Sequence, residues 1–268
     1  MSGQMLSDIE LAHALAEVAR SAILPHFRAP GLSTEQTENK GGAAFDPVTI
    51  ADRAAEKAMR ALLAEHRPED GIWGEEYGQA PGTSGRTWVL DPIDGTRGFI
   101  AGTPTWGVLI ALSEASGPVL GIIDQPYIGE RFVGGLGRAE HNGPQGATTL
   151  ATRATRSLSE AILFTTFPEV GTAQDRAGFE AVAAQARLVR YGMDCYAYAL
   201  VAAGQVDLVI EAGLQAYDIQ APIAVIEAAG GIVTDWEGQP VHAGGRALAA
   251  ANADLHAAAL DVLARAAG

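Results

Sequence analysis

Trp88-Val-Leu-Asp-Pro-Ile-Asp-Gly-Thr96 runs an apolar strand straight into two carboxylates, a glycine and a hydroxyl. Thr87 to Leu90 have the apolar character of a buried strand, and ligands in open α/β sheets gather beyond the carboxyl ends of strands. Asp91 and Asp94 stand at that end. Pro92 restricts the turn between them, while Gly95 lets the backbone approach a ligand and leaves N–H groups that can face an anion. Asp, Pro and Gly are also common turn formers, so the stretch alone fits an Asx-type turn as well as a metal and phosphate site.

Acids elsewhere in the chain tip the balance. Gly71-Ile72-Trp73 reads as a second short strand that ends in Gly74-Glu75-Glu76. Asp46-Pro-Val-Thr-Ile-Ala-Asp52 opens a helix, and Ala216-Tyr217-Asp218 precedes another. Four carboxylate clusters at element ends point to one shared site. Two carboxylates ~4 Å apart repel by ~4 kcal/mol at an effective dielectric near 20, so such a cluster partly protonates if left empty. A cation removes the conflict, and all-oxygen ligands without His or Cys select a hard one, Mg²⁺ where phosphate supplies further ligands.

The chain has 268 residues, enough to bury a large core, and no low-complexity linker divides it. Its one cysteine, Cys195, excludes an intrachain disulfide framework and fits a reducing cytoplasm, where a packed thiol is expected. Asp8 and Glu10 near the amino terminus break the layout of a signal peptide, and no apolar run approaches a membrane span. A formal charge of −14 opposes attraction to nucleic acid or anionic lipid. It also opposes phosphate, unless divalent cations invert the local charge. His13, His26 and His66 show no metal-ligand spacing.

Helix and strand signals alternate. Ser7 with Glu10 forms a capping box before Leu11, Leu15, Val18 and Ala22, and Thr49 with Asp52 forms another, so Asp52 reads first as a cap. Strands are expected at Thr105 to Leu112, Val119 to Ile123 and Glu130 to Gly134, an antiparallel meander. From about residue 150 the pattern predicts strand 161–165, helix 175–186, strand 188–191, helix 195–203 and strand 206–210. A helix opened by Asp218 and a strand at Ile232 to Thr234 follow.

Lys40, Asp46-Pro-Val-Thr-x-x-Asp52, Gly74-Glu75-Glu76, Trp88 to Thr96, and Tyr217-Asp218 with Glu227-Ala-Ala-Gly-Gly231 behind it resemble, in order and spacing, the inositol monophosphatase family of metal-dependent small-molecule phosphatases. The likeness runs almost end to end. It implies an α/β fold, a layered αβαβα sandwich, in one domain over 1–268. Residues 1–149 would carry the metal-binding motifs, and 150–268 the substrate-recognition residues with the last ligand. The family is usually homodimeric. By resemblance, Glu75, Asp91 and the Ile93 carbonyl hold a first Mg²⁺. Asp91, Asp94 and Asp218 hold a second, Asp91 bridging, and a third is held more weakly near Glu75. Two metals ~3.5–4 Å apart can clamp a phosphate ester, activate a water and stabilise the leaving alkoxide without a protein nucleophile.

The family's water-positioning hydroxyl falls on Thr96, oriented by Asp46 and assisted by Glu75. The N–H groups of Gly95 and Thr96 are expected to bind phosphate oxygens. Lys40 either adds positive charge near the site or is a solvated lysine of the polar run Thr37 to Gly42.

Inositol-type members usually carry Asp-Gly-Thr-Thr-Asn-Phe, whereas this chain reads Asp94-Gly-Thr-Arg-Gly-Phe99, followed by Gly102-Thr-Pro-Thr-Trp-Gly-Val108. That form, with Tyr191-Gly-Met-Asp-Cys-Tyr-Ala-Tyr198, is similar to the histidinol-phosphatase branch of histidine biosynthesis. Histidinol phosphate carries an ammonium, which a carboxylate suits through a charge-assisted hydrogen bond. Asp194 and Glu211 are the candidates for that contact, beside Asp94 and Asp218. Asp194 also suits a helix N-cap, a compatible role, and Glu211 also suits a solvated loop after its strand. Arg97 reads equally as a substrate or phosphate contact and as the partner of a neighbouring acid or subunit. Trp106 and Tyr217 read as imidazole neighbours or as core. Gly98 stands where histidinol-type members more often have Ser. The alternatives to a histidinol-phosphatase are an inositol monophosphatase, a broad phosphatase that includes 3′(2′),5′-bisphosphate nucleotidase activity, and a non-catalytic binding protein on the same fold.

Overall fold

A computed structural model describes residues 6–30, 37–39, 47–167 and 169–267; Lys40 and Asp46 lie outside the described residues. Both predicted capping boxes are present. Ser7 accepts the Glu10 N–H at 3.3 Å and opens α1 (Asp8–Ile23). Strands β1 (Thr37–Asn39) and β2 (Pro47–Thr49) pair as a short ribbon. Thr49 then caps α2 (Ile50–His66), its N–H donating to Asp52 at 2.9 Å. Leu11, Leu15 and Ile23 of α1 and Ala55, Met59 and Leu63 of α2 are buried at the 3.6-residue period that makes each helix one-faced.

The larger sheet follows from β3 (Gly71–Gly74), β4 (Gly78–Ala80), β5 (Thr87–Asp94), and, beyond the six-residue helix α3 (Thr96–Ala101), β6 (Gly107–Glu114) and β7 (Gly117–Gln125). It ends with β8 (Glu130–Gly135), β9 (Arg138–Gly143) and β10 (Gly146–Thr149). Its spatial order is β10-β9-β8-β7-β6-β5-β3-β4, antiparallel throughout except where β3 runs parallel to β5. The predicted meander is therefore present and longer than expected. Strand β5 does not stop at Leu90 but continues to Asp94. Asp91 stays opposite Leu109, and the register then slips so that Asp94 faces Gly107. Pro92 has no N–H to give the ladder, which accounts for the irregularity between the two acids.

The second half supplies β11 (Ile162–Thr165), α4 (Ala173–Ala183), β12 (Leu188–Tyr191), α5 (Cys195–Ala202), β13 (Leu208–Gln215) and α6 (Ala216–Ala228). After these come β14 (Ile232–Thr234), β15 (Gly244–Ala250) and α7 (Ala253–Ala267). Five strands form a sheet in the order β12-β11-β13-β15-β14. Strand β13 runs past Glu211 to Gln215, with an irregularity between Glu211 and Leu214. Helix α6 starts two residues before Asp218, because Gln215 takes the N-cap position and Asp218 is the third helical residue.

Three apolar clusters define the layers. Helices α1 and α2 cover one face of the large sheet through Leu11, Met59, Trp88, Leu90 and Ile110. Helices α5 and α6 fill the space between the two sheets, with Val201, Ile219 and Val225 against Val89, Ile123, Val209 and Ala249. Helices α4 and α7 cover the far face of the smaller sheet through Phe179, Val182, Leu255 and Leu263. This is the αβαβα sandwich that the sequence implied.

Helix α6 lies unusually close to the large sheet. A Cβ on Gly134 of β8 would collide with the backbone of Ala224 and Val225, and one on Gly121 of β7 would collide with the backbone of Ala221. Glycine is required at these positions by space, and the contact seats the helix that carries Asp218. Gly134→Ala is expected to cost about 1–3 kcal/mol by overpacking. A lowered urea midpoint at unchanged slope would report it, and an unchanged midpoint would show that the sheet and helix can part without loss.

Candidate active site

Glu75 follows β3 directly, and its N–H donates to the Leu90 carbonyl of β5 at 3.1 Å, which places it alongside Asp91. Asp91 is 2% exposed, and its Oδ1 makes no hydrogen bond. Asp94, three residues on, accepts the Cys195 N–H at 2.5 Å. Asp218 accepts the Gln215 N–H at 2.6 Å from inside the first turn of α6. The structure thus brings together acids from β5 and α6, and carboxylate oxygens of Asp91, Asp94 and Asp218 lie within 4.8 Å of one another.

The electrostatics follow from that crowding. Burial, then the charges of Glu75, Asp94 and Asp218, push the Asp91 carboxyl well above its ordinary range. Burial, then Asp194 and Asp218, do the same to Asp94 against the opposing Cys195 hydrogen bond. A buried carboxylate oxygen without a donor, among other acids, fits a hard divalent cation and no histidine or thiolate ligand chemistry.

Gly95, at φ +83°, lets the chain reverse from β5 into α3 in a conformation that favours glycine. Thr96 opens the helix, and its hydroxyl donates to the Ile93 carbonyl at 3.1 Å, so two residues singled out by sequence meet in one contact. Glu75, Asp94, Gly95, Thr96, Tyr217 and Asp218 line a cleft of about 440 Å³. It merges, through Asp94, Asp194 and Asp218, with a second space of about 400 Å³ that reaches Glu211, Tyr198 and Val170.

Asp194 occupies the N-cap position of α5 at φ +48°, a strained value for a non-glycine residue, and its side chain makes no capping hydrogen bond. The capping role allowed by sequence is therefore not taken up. The carboxylate instead faces α3: a Cβ on Gly95 would stand 2.8 Å from its carboxyl carbon. Burial first and then the charge of Glu211 raise Asp194 to about 6, with the Thr105 hydrogen bond and Arg97 acting against them. Glu211 is 6% exposed and not a solvated loop acid. It accepts the Thr166 N–H at 2.9 Å, the Thr166 hydroxyl at 2.5 Å and the Tyr198 hydroxyl at 2.7 Å, and burial still raises its carboxyl.

Arg97 is exposed, with its guanidinium carbon 4.9 Å from the centre of the Phe167 ring at the mouth of the cleft. Trp106 is core, packed on Phe27 and Phe99, whereas Tyr217 lines the cleft. Cys195 is a buried thiol, as expected. Two acids on α2 gain importance that sequence reading did not give them. Asp52 does cap its helix, yet its Oδ1 is buried without a partner, and burial followed by the charges of Glu76 and Glu75, against its bonds to Thr49, raises it to about 7. Glu56, fully buried, accepts the N–H groups of Glu76 and Tyr77. The acid clusters could have directed attention to it, but a Glu inside a helix otherwise reads as solvated.

A model of the inositol monophosphatase family matches residues 5–267. The chain belongs to the inositol monophosphatase family. The bifunctional phosphatase IMPL2, chloroplastic, of Arabidopsis thaliana is 40% identical over 96% of this chain and 77% of its own length. A histidinol-phosphatase of Streptomyces coelicolor is 36% identical over 94% of each. The solved structure of an inositol monophosphatase from Zymomonas mobilis matches with a TM-score of 0.83 and 43% identity, covering 96% of this chain and 97% of that one. As in this metal-dependent family generally, the cluster of Asp91, Asp94 and Asp218 offers oxygen ligands for a cation. Among the described residues no helix is long and apolar enough to cross a membrane.

Asp52, Asp91, Asp94, Asp194 and Glu211 all have raised carboxyl pKa values, so the folded metal-free chain holds protons that the unfolded chain releases. The stability they contribute is full below about pH 4 and is lost as pH rises, through about 6 for Asp194 and about 7 for Asp52, with Asp91, Asp94 and Glu211 acting in the same direction. In EDTA the melting temperature is therefore expected to fall between pH 5 and 8, and Asp94→Asn to melt above the wild type at pH 8. A melting temperature that is flat or rises over this range refutes the account of the cluster.

Proposed function

We propose that this family member is a Mg²⁺-dependent phosphomonoesterase whose preferred substrate is histidinol phosphate. The observation that carries the substrate choice is a pair of carboxylates, half-buried Asp194 and buried Glu211, lining the space that opens beside the Asp91, Asp94 and Asp218 cluster. A neutral polyol has no need of two anions there, whereas a protonated amine can donate to both and offsets the charge of one.

In this reading Glu75, Asp91, the Ile93 carbonyl, Asp94 and Asp218 hold the divalent ions. When bound, such ions supply Lewis acidity toward the phosphate ester and lower the pKa of water. The N–H groups of Gly95 and Thr96 hold phosphate oxygens. The Thr96 hydroxyl, with Asp46 and Glu75, orients the attacking water, and its contact with the Ile93 carbonyl keeps it beside the acids. Asp194 and Glu211 hold the ammonium end of the leaving alcohol, and Tyr198 and Thr166 keep Glu211 turned to the cleft. Arg97, at the mouth of the cleft, is an auxiliary positive charge, and Lys40 is read as a second.

The named histidinol-phosphatase relative supports this reading. The 43% identity with an inositol monophosphatase favours the second, an enzyme for neutral polyol phosphates. Phosphate release from histidinol phosphate, inositol 1-phosphate and a 3′,5′-bisphosphate nucleotide, with Mg²⁺ or EDTA, separates the two. Asp94→Asn is expected to lose about 100-fold or more of turnover on every substrate while remaining folded. Asp194→Asn is expected to lose about 10–100-fold in kcat/KM on histidinol phosphate, the worth of one charged hydrogen bond, and far less on inositol phosphate. Equal losses on both substrates would sink the substrate assignment and leave the phosphatase assignment standing.

A further inference from the structure

Helix α2 carries an acid that has no place among the proposed ligands, yet is spent on the segment that follows one of them. Glu56 is 0% exposed. Its Oε2 accepts the Glu76 N–H at 2.7 Å, and its Oε1 accepts the Tyr77 N–H at 3.2 Å and the Arg60 Nε–H at 2.7 Å. The other arm of Arg60 donates to the Gly78 carbonyl. One ion pair on successive turns of α2 therefore grips Glu76 and Tyr77 of the turn after β3 and Gly78 at the start of β4. Gly74 is glycine for the same reason, since a Cβ there would collide with the Glu56 carboxylate.

We infer that Glu56, clamped by Arg60, is the positioning residue that fixes the Glu75 carboxylate for its metal. The inference rests on the reading of Glu75 as a metal ligand. Glu75 sits between two fixed points. Its own N–H is tied to Leu90 next to Asp91, and the residue after it is tied to Glu56. Beyond these points the hairpin is held by its β3–β4 ladder and not by burial, because Tyr77 is 50% exposed and all of β4 is exposed. A buried carboxylate is costly unless paired, and one more unpaired anion near Glu75 and Asp91 would raise their mutual repulsion. With Arg60 as counter-ion the clamp is neutral overall, so it orders the ligand without adding charge to the site. Groups that orient a metal ligand from behind affect affinity for the metal about 10–100-fold.

The test is Mn²⁺ binding to the full-length chain without substrate, by titration calorimetry after EDTA treatment. Glu56→Gln keeps the shape but turns an N–H₂ toward donors. It is expected to weaken the tightest Mn²⁺ binding about 10–100-fold and to raise the Mg²⁺ needed for half-maximal phosphate release, with kcat at saturating Mg²⁺ changed less. Arg60→Gln is expected to weaken Mn²⁺ in the same direction by less, and it decides the matter if Glu56→Gln does not fold. Met59→Ala, a buried cavity mutant on the same helix, is expected to lower the melting temperature in EDTA and leave Mn²⁺ affinity at the wild-type value. Wild-type Mn²⁺ affinity in the folded clamp variants overturns the inference, as does an equal weakening by Met59→Ala. If the wild type itself binds no Mn²⁺, the metal reading of Glu75 is what has failed.

Discussion

Mutual repulsion among Asp91, Asp94, Asp218 and Glu75 is the constraint around which this molecule is built. Each pair, when both members are ionised and ~4 Å apart, opposes folding by about 4 kcal/mol at an effective dielectric near 20, a large share of the stability of any single domain. The acids stay together because each is held by something that is not part of the cluster. Asp94 is tied to the Cys195 N–H, Asp218 to the Gln215 N–H, and the backbone of Glu75 to Leu90. Asp91 keeps a buried oxygen with no hydrogen-bond donor. It is the point at which the fold leaves the charge to be balanced by something other than protein.

The sandwich explains how acids more than a hundred residues apart can be anchored in this way. Strand β5 brings two acids to the end of the large sheet, and α5 and α6, wedged between the sheets, bring their amino-terminal turns to the same place. A helix amino terminus has free N–H groups and the positive end of the helix dipole, so it tolerates acids better than any other backbone terminus. Cys195 N–H and Gln215 N–H are used in this sense. The close seat of α6 on Gly121 and Gly134 then fixes the depth of Asp218 by backbone contact, which is stiffer than contact between long side chains.

Much of this was legible in the sequence, for physical reasons that also explain what was not. The strand before Asp91, the two capping boxes and the helices α1 and α2 announce themselves by local chemistry and period. The acid clusters at element ends announce the site. The hairpin of β9 and β10 gave no signal because it is mostly exposed, so alternation of apolar residues is absent. Strand β15 is rich in alanine and glycine, which carry little periodic contrast. Glu211 read as a strand-end acid because its partners, Thr166 and Tyr198, are distant in sequence and only the sheet assembles them. Glu56 was passed over for the same reason: a buried acid and a solvated one look alike in a helical run until the hairpin that needs it is in place.

Gly98 shows how a departure from a family pattern can be a consequence of the site. Read alone, glycine in place of serine weakened the likeness to the histidinol-type branch. In the fold, a Cβ at this position would stand 2.9 Å from the Thr103 hydroxyl oxygen and 3.4 Å from Asp194 Oδ2. Asp194 reaches this place only by accepting a positive φ, and that strain has to be offset by what its carboxylate gains there. A side chain on residue 98 would compete for the space with Thr103 and crowd the acid from Thr105. The glycine and the strained aspartate are therefore two parts of one arrangement, and residue 98 reports on the space that Asp194 occupies rather than on a missing hydroxyl.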